Sequence, residues 1–143
     1  MKNVVIIGGG TGLSVMLRGM KNIKDVQLSA VVTVADDGGS TGRIRDAYNI
    51  PAMGDIRNVM CAMAEEEGLF AELMNYRFGG EGDIAGHNLG NLLLLALSQT
   101  TGSFMEAIRT FSRVLKVKGR IIPSTLEVVT LFAMMEDGTI VRG

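Results

Sequence analysis

Three stretches of this chain carry residue types able to do chemistry. The first is G-G-G-T-G-L-S over Gly8 to Ser14. Adjacent glycines let the backbone turn tightly and approach a ligand closely. Where a helix begins at such a turn, its unpaired N–H groups and dipole make an anion site, and phosphate is the obvious ligand. Gly8, Gly10 and Gly12 match the dinucleotide fingerprint only in part, because Leu13 stands where its last glycine belongs. Thr11 and Ser14 have hydroxyls that can bind phosphate oxygens or cap the helix.

The second stretch is A-D-D-G-G-S-T-G-R, with Asp36 and Asp37 at the tip of a predicted strand, where an acid gripping a ribose is expected. Paired carboxylates there can bind sugar hydroxyls, hold a divalent cation, or supply a base once one is kept partly protonated. Spacing alone weighs these roles equally against a turn-forming Asp-Asp-Gly. The third stretch is G-H-N-L-G-N, with the sole histidine, His87, just before a helix start, followed by Asn88 and Asn91. His87 can meet a ligand or simply hold structure, and the asparagines can be caps or contacts. With no second His or Cys nearby, zinc is not expected. Arg43, Arg45, Arg57 and Arg120 are candidate clamps for an oxyanion.

Elements must position these groups. Val4 to Ile7 is a β-branched apolar run ending at glycine, which predicts a strand buried on both faces of a parallel sheet. Leu13, Met16, Leu17 and Met20 recur at helical spacing, and Val26 to Ala35 predicts the second strand, closing a right-handed βαβ unit. From Asp36 to Gly54 no periodicity is visible, which predicts a long functional loop. Asp55 then caps a helix with Ile56, Val59, Met60 and Met63 inward and Cys61 beside the core as a small hydrophobe.

Further helices are predicted over Leu69 to Phe78, over Asn88 to Gln99, and from a Ser103/Glu106 capping box through Leu115. Leu126 to Met135 reads as a β run and Glu136 to Thr139 as a hairpin turn. Met16, Met20, Met60, Met63 and Met105 fall in helical patterns and are expected in the core. The fold class is α/β, Rossmann-like, a mostly parallel sheet with flanking helices plus a β-hairpin near the C-terminal end. Residues 1–143 form one nucleotide-binding region. Two parallel strands are few for an open α/β sheet, so the chain is expected to be the N-terminal half of a larger domain.

The 143 residues are 47% hydrophobic, enough for a core, and 14 basic against 15 acidic side chains leave a net charge of -1. No basic stripe exists for a phosphate backbone, which argues against nucleic acid. The apolar runs are too short for a membrane span or a secretion signal. A single cysteine rules out an intrachain disulfide and fits a cytoplasmic location.

The ordered motifs G-G-G-T-G-L-S-x-x-L-R-G, V-x-V-A-D-D-G-G-S-T-G-R-I-R, G-D-I-R-N and G-H-N-L-G-N-L together resemble the YvcK family, often labelled gluconeogenesis factor. The likeness continues through R-V-L-K-V-K-G-R-I-I-P-S-T and E-D-G-T-I-V-R-G. It implies a Rossmann-like fold similar to CofD, the 2-phospholactate transferase. It also implies a cytoplasmic, regulatory protein binding a nucleotide-containing ligand, UDP-N-acetylglucosamine or a related UDP-sugar, linked to cell shape and cell-wall precursor supply. The family's motifs map its site onto Gly9, Gly10, Thr11, Gly12 and Leu13, onto Asp36, Asp37, Ser40, Thr41 and Arg43, onto Asp55 and Asn58, and onto His87, Asn88 and Asn91. Ala52 and Met53 replace a proline turn usual in the family.

Two other readings stand beside this one. A CofD-like phospho-transferase would use Asp36 or Asp37 to bind metal or deprotonate an acceptor, with His87 steadying phosphate charge. An NAD-binding oxidoreductase is weakened by the partial fingerprint and by the lack of a positioned Tyr-Lys or His-Asp pair. Self-association into a homo-oligomer is left open.

Overall fold

The computed structural model describes residues 1–143. In chain order the elements are β1 (Lys2–Gly8), α1 (Gly10–Met20), β2 (Val26–Val32), α2 (Gly39–Tyr48), α3 (Gly54–Met63) and α4 (Leu69–Asn75). There follow α5 (Leu89–Thr101), α6 (Phe104–Val114), β3 (Arg120–Pro123), β4 (Phe132–Met134) and β5 (Ile140–Arg142). β1, β2 and β3 form a parallel sheet in that order, with Val4 beside Leu28 and Ala30 beside Ile121. β4 and β5 make a separate antiparallel hairpin, Phe132 opposite Arg142, turning through the predicted Asp-Gly tip.

Both crossovers advance the sheet in the same direction, and right-handed connections of that kind lay their helices on one face. The burial follows. Leu28, Ala30, Val32 and Ile121 are buried against the helices, whereas Val5 and Ile7 on the opposite face are 60% and 78% exposed. The expectation of a first strand buried on both faces is therefore corrected: β1 is an edge strand covered on one side only. β3 was missed because its R-I-I-P is too short to show a period.

The core is one cluster built around Leu17, Ile56, Met60, Met63, Leu94 and Ile108. Met60 and Met63 lie in it as expected, Met20 and Met105 are half-buried, and Met16 is turned to solvent on the outer face of α1. The predicted β run over Leu126 to Met135 contracts to β4, since only its end has a strand to pair with. In α5 Asn91, Leu94, Leu95 and Ser98 are buried, Leu92, Leu93 and Leu97 are half-buried, and Ala96 is exposed.

Two corrections bear on function. The featureless loop after β2 contains α2, whose buried face is Ser40, Thr41, Gly42, Ile44 and Arg45. Polar burial leaves no apolar period to read. Asp55 is not the cap of α3 either; Met53 holds that position, and Asp55 sits inside the first turn.

Candidate functional site

The glycine turn is set by steric demand at two positions. A Cβ at Gly9 would fall 2.2 Å from Thr33 Cγ2 and 2.8 Å from Asp55 Oδ2, so the turn passes too close to the exit of β2 for any side chain. Gly10 has φ +65°, the left-handed region glycine enters freely. Gly12 faces open space. The side chain of Leu13 lies in the core, so only its backbone can face a ligand.

The first turns of α2, α3 and α5 meet around a cavity of about 250 Å³ whose lining has no hydrophobic residue. Ser40 and Thr41 come from α2, Gly54, Asp55, Arg57 and Asn58 from α3, and Asn91 from α5, with Asp36 at the strand exit and Arg77 closing one side. Asp55 joins α1 to this group: its Oδ2 lies against Gly9, at the start of that helix. Burial pushes the Asp55 carboxyl above its ordinary range, opposed by the nearby Gly10 backbone and assisted by the charge of Asp36. Helix starts supply unpaired N–H groups and positive dipole ends, so several directed at one polar cavity favour an anion there.

Ser40 is the hub of this arrangement. Its Oγ lies 2.9 Å from His87 Nδ1 and accepts from the Asn88 N–H at 3.2 Å and from Asn91 Nδ2 at 3.3 Å. A hydroxyl with both lone pairs occupied has one proton left to give, so Ser40 donates to His87 Nδ1 and the imidazole is an acceptor there. Burial, and then the charge of Arg43, pushes the His87 imidazolium below its ordinary pKa, in keeping with that acceptor role. Asn88 is 1% exposed and caps α5, its side chain accepting from the Asn91 N–H at 3.2 Å.

The structure separates the aspartate pair. Asp36 lines the cavity, its Oδ1 taking the Gly38 N–H at 3.0 Å. Asp37 instead accepts from Arg45 Nη1 at 2.8 Å and from Arg142 Nε at 3.1 Å. Arg45 is buried, and it also donates to Asp36 O and to Val129 O, tying the end of β2 to the C-terminal segment. Arg43 donates to the carbonyls of Asp83 at 2.7 Å and Ala85 at 2.6 Å, bracing the loop that carries His87. Thr11 and Asn58 line a second hollow of about 190 Å³, whose wall includes the buried thiol of Cys61.

Arg57, one of the four candidate oxyanion clamps, belongs to the cavity wall, and so does Arg77, which the sequence reading did not name. Arg57 lies in G-D-I-R-N, where a motif signal existed; nothing around Arg77 marks it. Arg57 Nη1 donates to Asn75 Oδ1 at 2.9 Å, and burial lowers its pKa. Its Nε and the Oδ1 of Asn91 are buried without any partner. No group of three or more His, Cys, Asp or Glu side chains is placed to hold a metal ion. No helix is long and apolar enough to cross a membrane.

A parallel sheet entered through a doubly constrained glycine turn, with helices on its flank, is a Rossmann-like α/β architecture. Residues 4–143 match the family described as 2-phospho-L-lactate transferase CofD, and the chain belongs to that family. It is 51% identical over 140 residues to the gluconeogenesis factor of Listeria monocytogenes, covering 98% of this chain and 43% of that protein. It is 50% identical over 140 residues to the gluconeogenesis factor of Bacillus subtilis, covering 98% of this chain and 44% of that protein. The crystal structure of protein BH3568 from Bacillus halodurans superimposes with a TM-score of 0.93 at 48% identity, over 100% of this chain and 46% of that one. The chain thus spans less than half the length of the relatives it matches, in keeping with the half-domain expectation.

Proposed function

We propose that this chain is the phosphate-binding part of a cytoplasmic, regulatory nucleotide-sugar-binding protein, with UDP-N-acetylglucosamine or a related UDP-sugar as ligand. One observation carries the reading: the first turns of α2, α3 and α5 open on one wholly polar cavity, bordered by Arg57 and Arg77. A diphosphate would take backbone N–H groups from those turns and charge from the arginines. A divalent cation accompanying it would meet Asp36 and Asp55 and complete its shell with phosphate oxygens. The names of the relatives support a role in gluconeogenic growth. Control of cell shape and cell-wall precursor supply extends that role.

Isothermal titration with UDP-N-acetylglucosamine tests the proposal. Saturable heat is expected, and Gly9→Ala, which drives a methyl into Thr33 and Asp55, should abolish it. Gly19→Ala, in the last turn of α1 away from the glycine turn, enters open space and should retain binding, with stability higher by about 1 kcal/mol from helix propensity. Absence of binding by the parent chain would sink the reading.

A second reading rests on the family description and on the Asp36 and Asp55 carboxylates beside the cavity. In that reading a CofD-like transfer places an acceptor hydroxyl against one of these carboxylates. Turnover of a nucleotide-activated phospho-donor, lost in Asp36→Asn, would favour it.

A further inference from the structure

Arg120, the last of the four candidate clamps, lies away from the polar cavity, at the start of β3 and level with Ser29. It lines a different hollow, a groove of about 770 Å³ between α6 and β3, the last strand of the sheet. Met105, Arg109, Ser112 and Arg113 form the α6 wall, and Gly119 to Ile122 form the strand wall. The buried side chains of Ile108 and Ile121 give the groove an apolar floor.

The charge along this groove is one-sided. Arg109 is paired with Glu106, the only carboxylate in the lining. Arg113 donates to the neutral Thr110 hydroxyl, and the Arg120 side chain has no hydrogen bond or ion pair. In a chain of net charge -1, two uncompensated guanidinium groups on one groove are a local excess. The excess continues past Gly119 into a neighbouring hollow of about 460 Å³, lined by Lys118 and by Lys21, itself paired with Glu67, and by no carboxylate. A phosphate backbone would match the cations but leave the apolar floor uncovered, whereas an acidic peptide with apolar residues matches both.

The strand wall has backbone to offer as well. Ser124 N–H donates to Val32 O at 2.8 Å, which turns the amides of Arg120 and Ile122 to β2 and, by alternation, those of Ile121 outward. Pro123 agrees with this register, since proline fits a strand where its missing N–H would face an open edge.

We infer that this groove is a docking site for an extended acidic segment of a protein partner, laid along β3 as an added strand with carboxylates against Arg113 and Arg120. Side chains of such a strand alternate. Those turned to α6 meet Met105 and Arg113, and those turned away lie beside Arg120 and Ile122, so each face of the segment needs both acidic and apolar residues. The inference does not depend on which ligand the polar cavity holds.

Fluorescence anisotropy of a labelled peptide repeating Glu-Glu-Val-Val, titrated with the whole chain, tests it. Saturable binding is expected, weakening as salt rises. Arg113→Gln combined with Arg120→Gln should weaken it about fivefold, the size of two exposed ion pairs. Both side chains are exposed and have no acidic partner, so the variant should keep the parent's far-UV circular dichroism and melting temperature. A Lys-Lys-Val-Val peptide, and the acidic peptide with an N-methylated backbone, should fail to bind, while the acidic peptide should slow hydrogen exchange at the Ile121 amide. Absence of binding overturns the inference, as does equal binding by the double variant or of the N-methylated peptide. Complete displacement by an equimolar single-stranded oligonucleotide also overturns it, since the groove would then be a general polyanion surface.

Discussion

Asp36 and Asp37 are neighbours in the chain with unlike surroundings, and a substitution at each should report a different quantity. Asp37 is the counter-charge of Arg45, whose side chain is 3% exposed. Removing it leaves a buried guanidinium without its carboxylate, and Asp37→Ala should cost about 3 kcal/mol in urea unfolding. Asp36 is exposed and its carboxylate holds one local N–H, so Asp36→Asn should shift stability by less than about 0.5 kcal/mol while altering ligand affinity. Equal losses of stability at the two positions would contradict the division of roles. The motif A-D-D-G-G located both residues but could not say which one faces the cavity, because that depends on Arg45 and Arg142, the latter 105 residues away from Asp37.

Among the elements, legibility tracked the character of what is buried. α1, α3 and α6 bury apolar stripes and were found from spacing alone. α2 buries hydroxyls, a glycine and an arginine, and so read as a loop although it carries Ser40 and Thr41. The strongest buried stripe of α5 likewise begins and ends on polar side chains, Asn91 and Ser98. A helix packed to serve a site hides from hydrophobic periodicity for that reason.

The contact between α2 and the start of α5 also has a pH signature. The imidazole of His87 accepts the Ser40 proton, and its charged neighbours are cations: Arg43 from α2, and Arg77, which donates to Gly86 O. With the folded pKa below the ordinary 6.5 or so, the folded state binds this proton less readily than the unfolded chain. Its contribution is present above the unfolded value and is lost as pH falls through the folded one. Thermal unfolding followed from pH 7.5 down to 5 should show stability falling, and His87→Gln should flatten that part of the curve. An unchanged slope in the variant would remove His87 from the account.

At the scale of this chain, which spans less than half the length of its relatives, the sheet is clothed on one face and bare on the other. Val5 and Ile7 present apolar surface beside an unpaired strand edge, and edges of this kind invite association. The chain should bind an apolar fluorescent dye in its native state, and Val5→Thr with Ile7→Thr should reduce the signal without changing far-UV circular dichroism. Equal dye binding by both forms would place the sticky surface elsewhere, the exposed apolar residues of β4 and β5 being the next candidates. The open class of fold was legible from the β-α-β rhythm. The bareness of one face was not, because it follows from crossover direction, which only the position of β3 reveals.

Cys61 gives this fold a use that concerns its motions. The only sulfhydryl in the chain is 3% exposed, its pKa raised by burial, on the helix whose first turn borders the cavity. A small alkylating reagent reaches so buried a thiol through fluctuations that widen the hollow between α1 and α3, so the rate of modification counts those openings. Whatever settles against Gly54 and Asp55 and braces the helix would be registered as a slower count, without a label having to be built in.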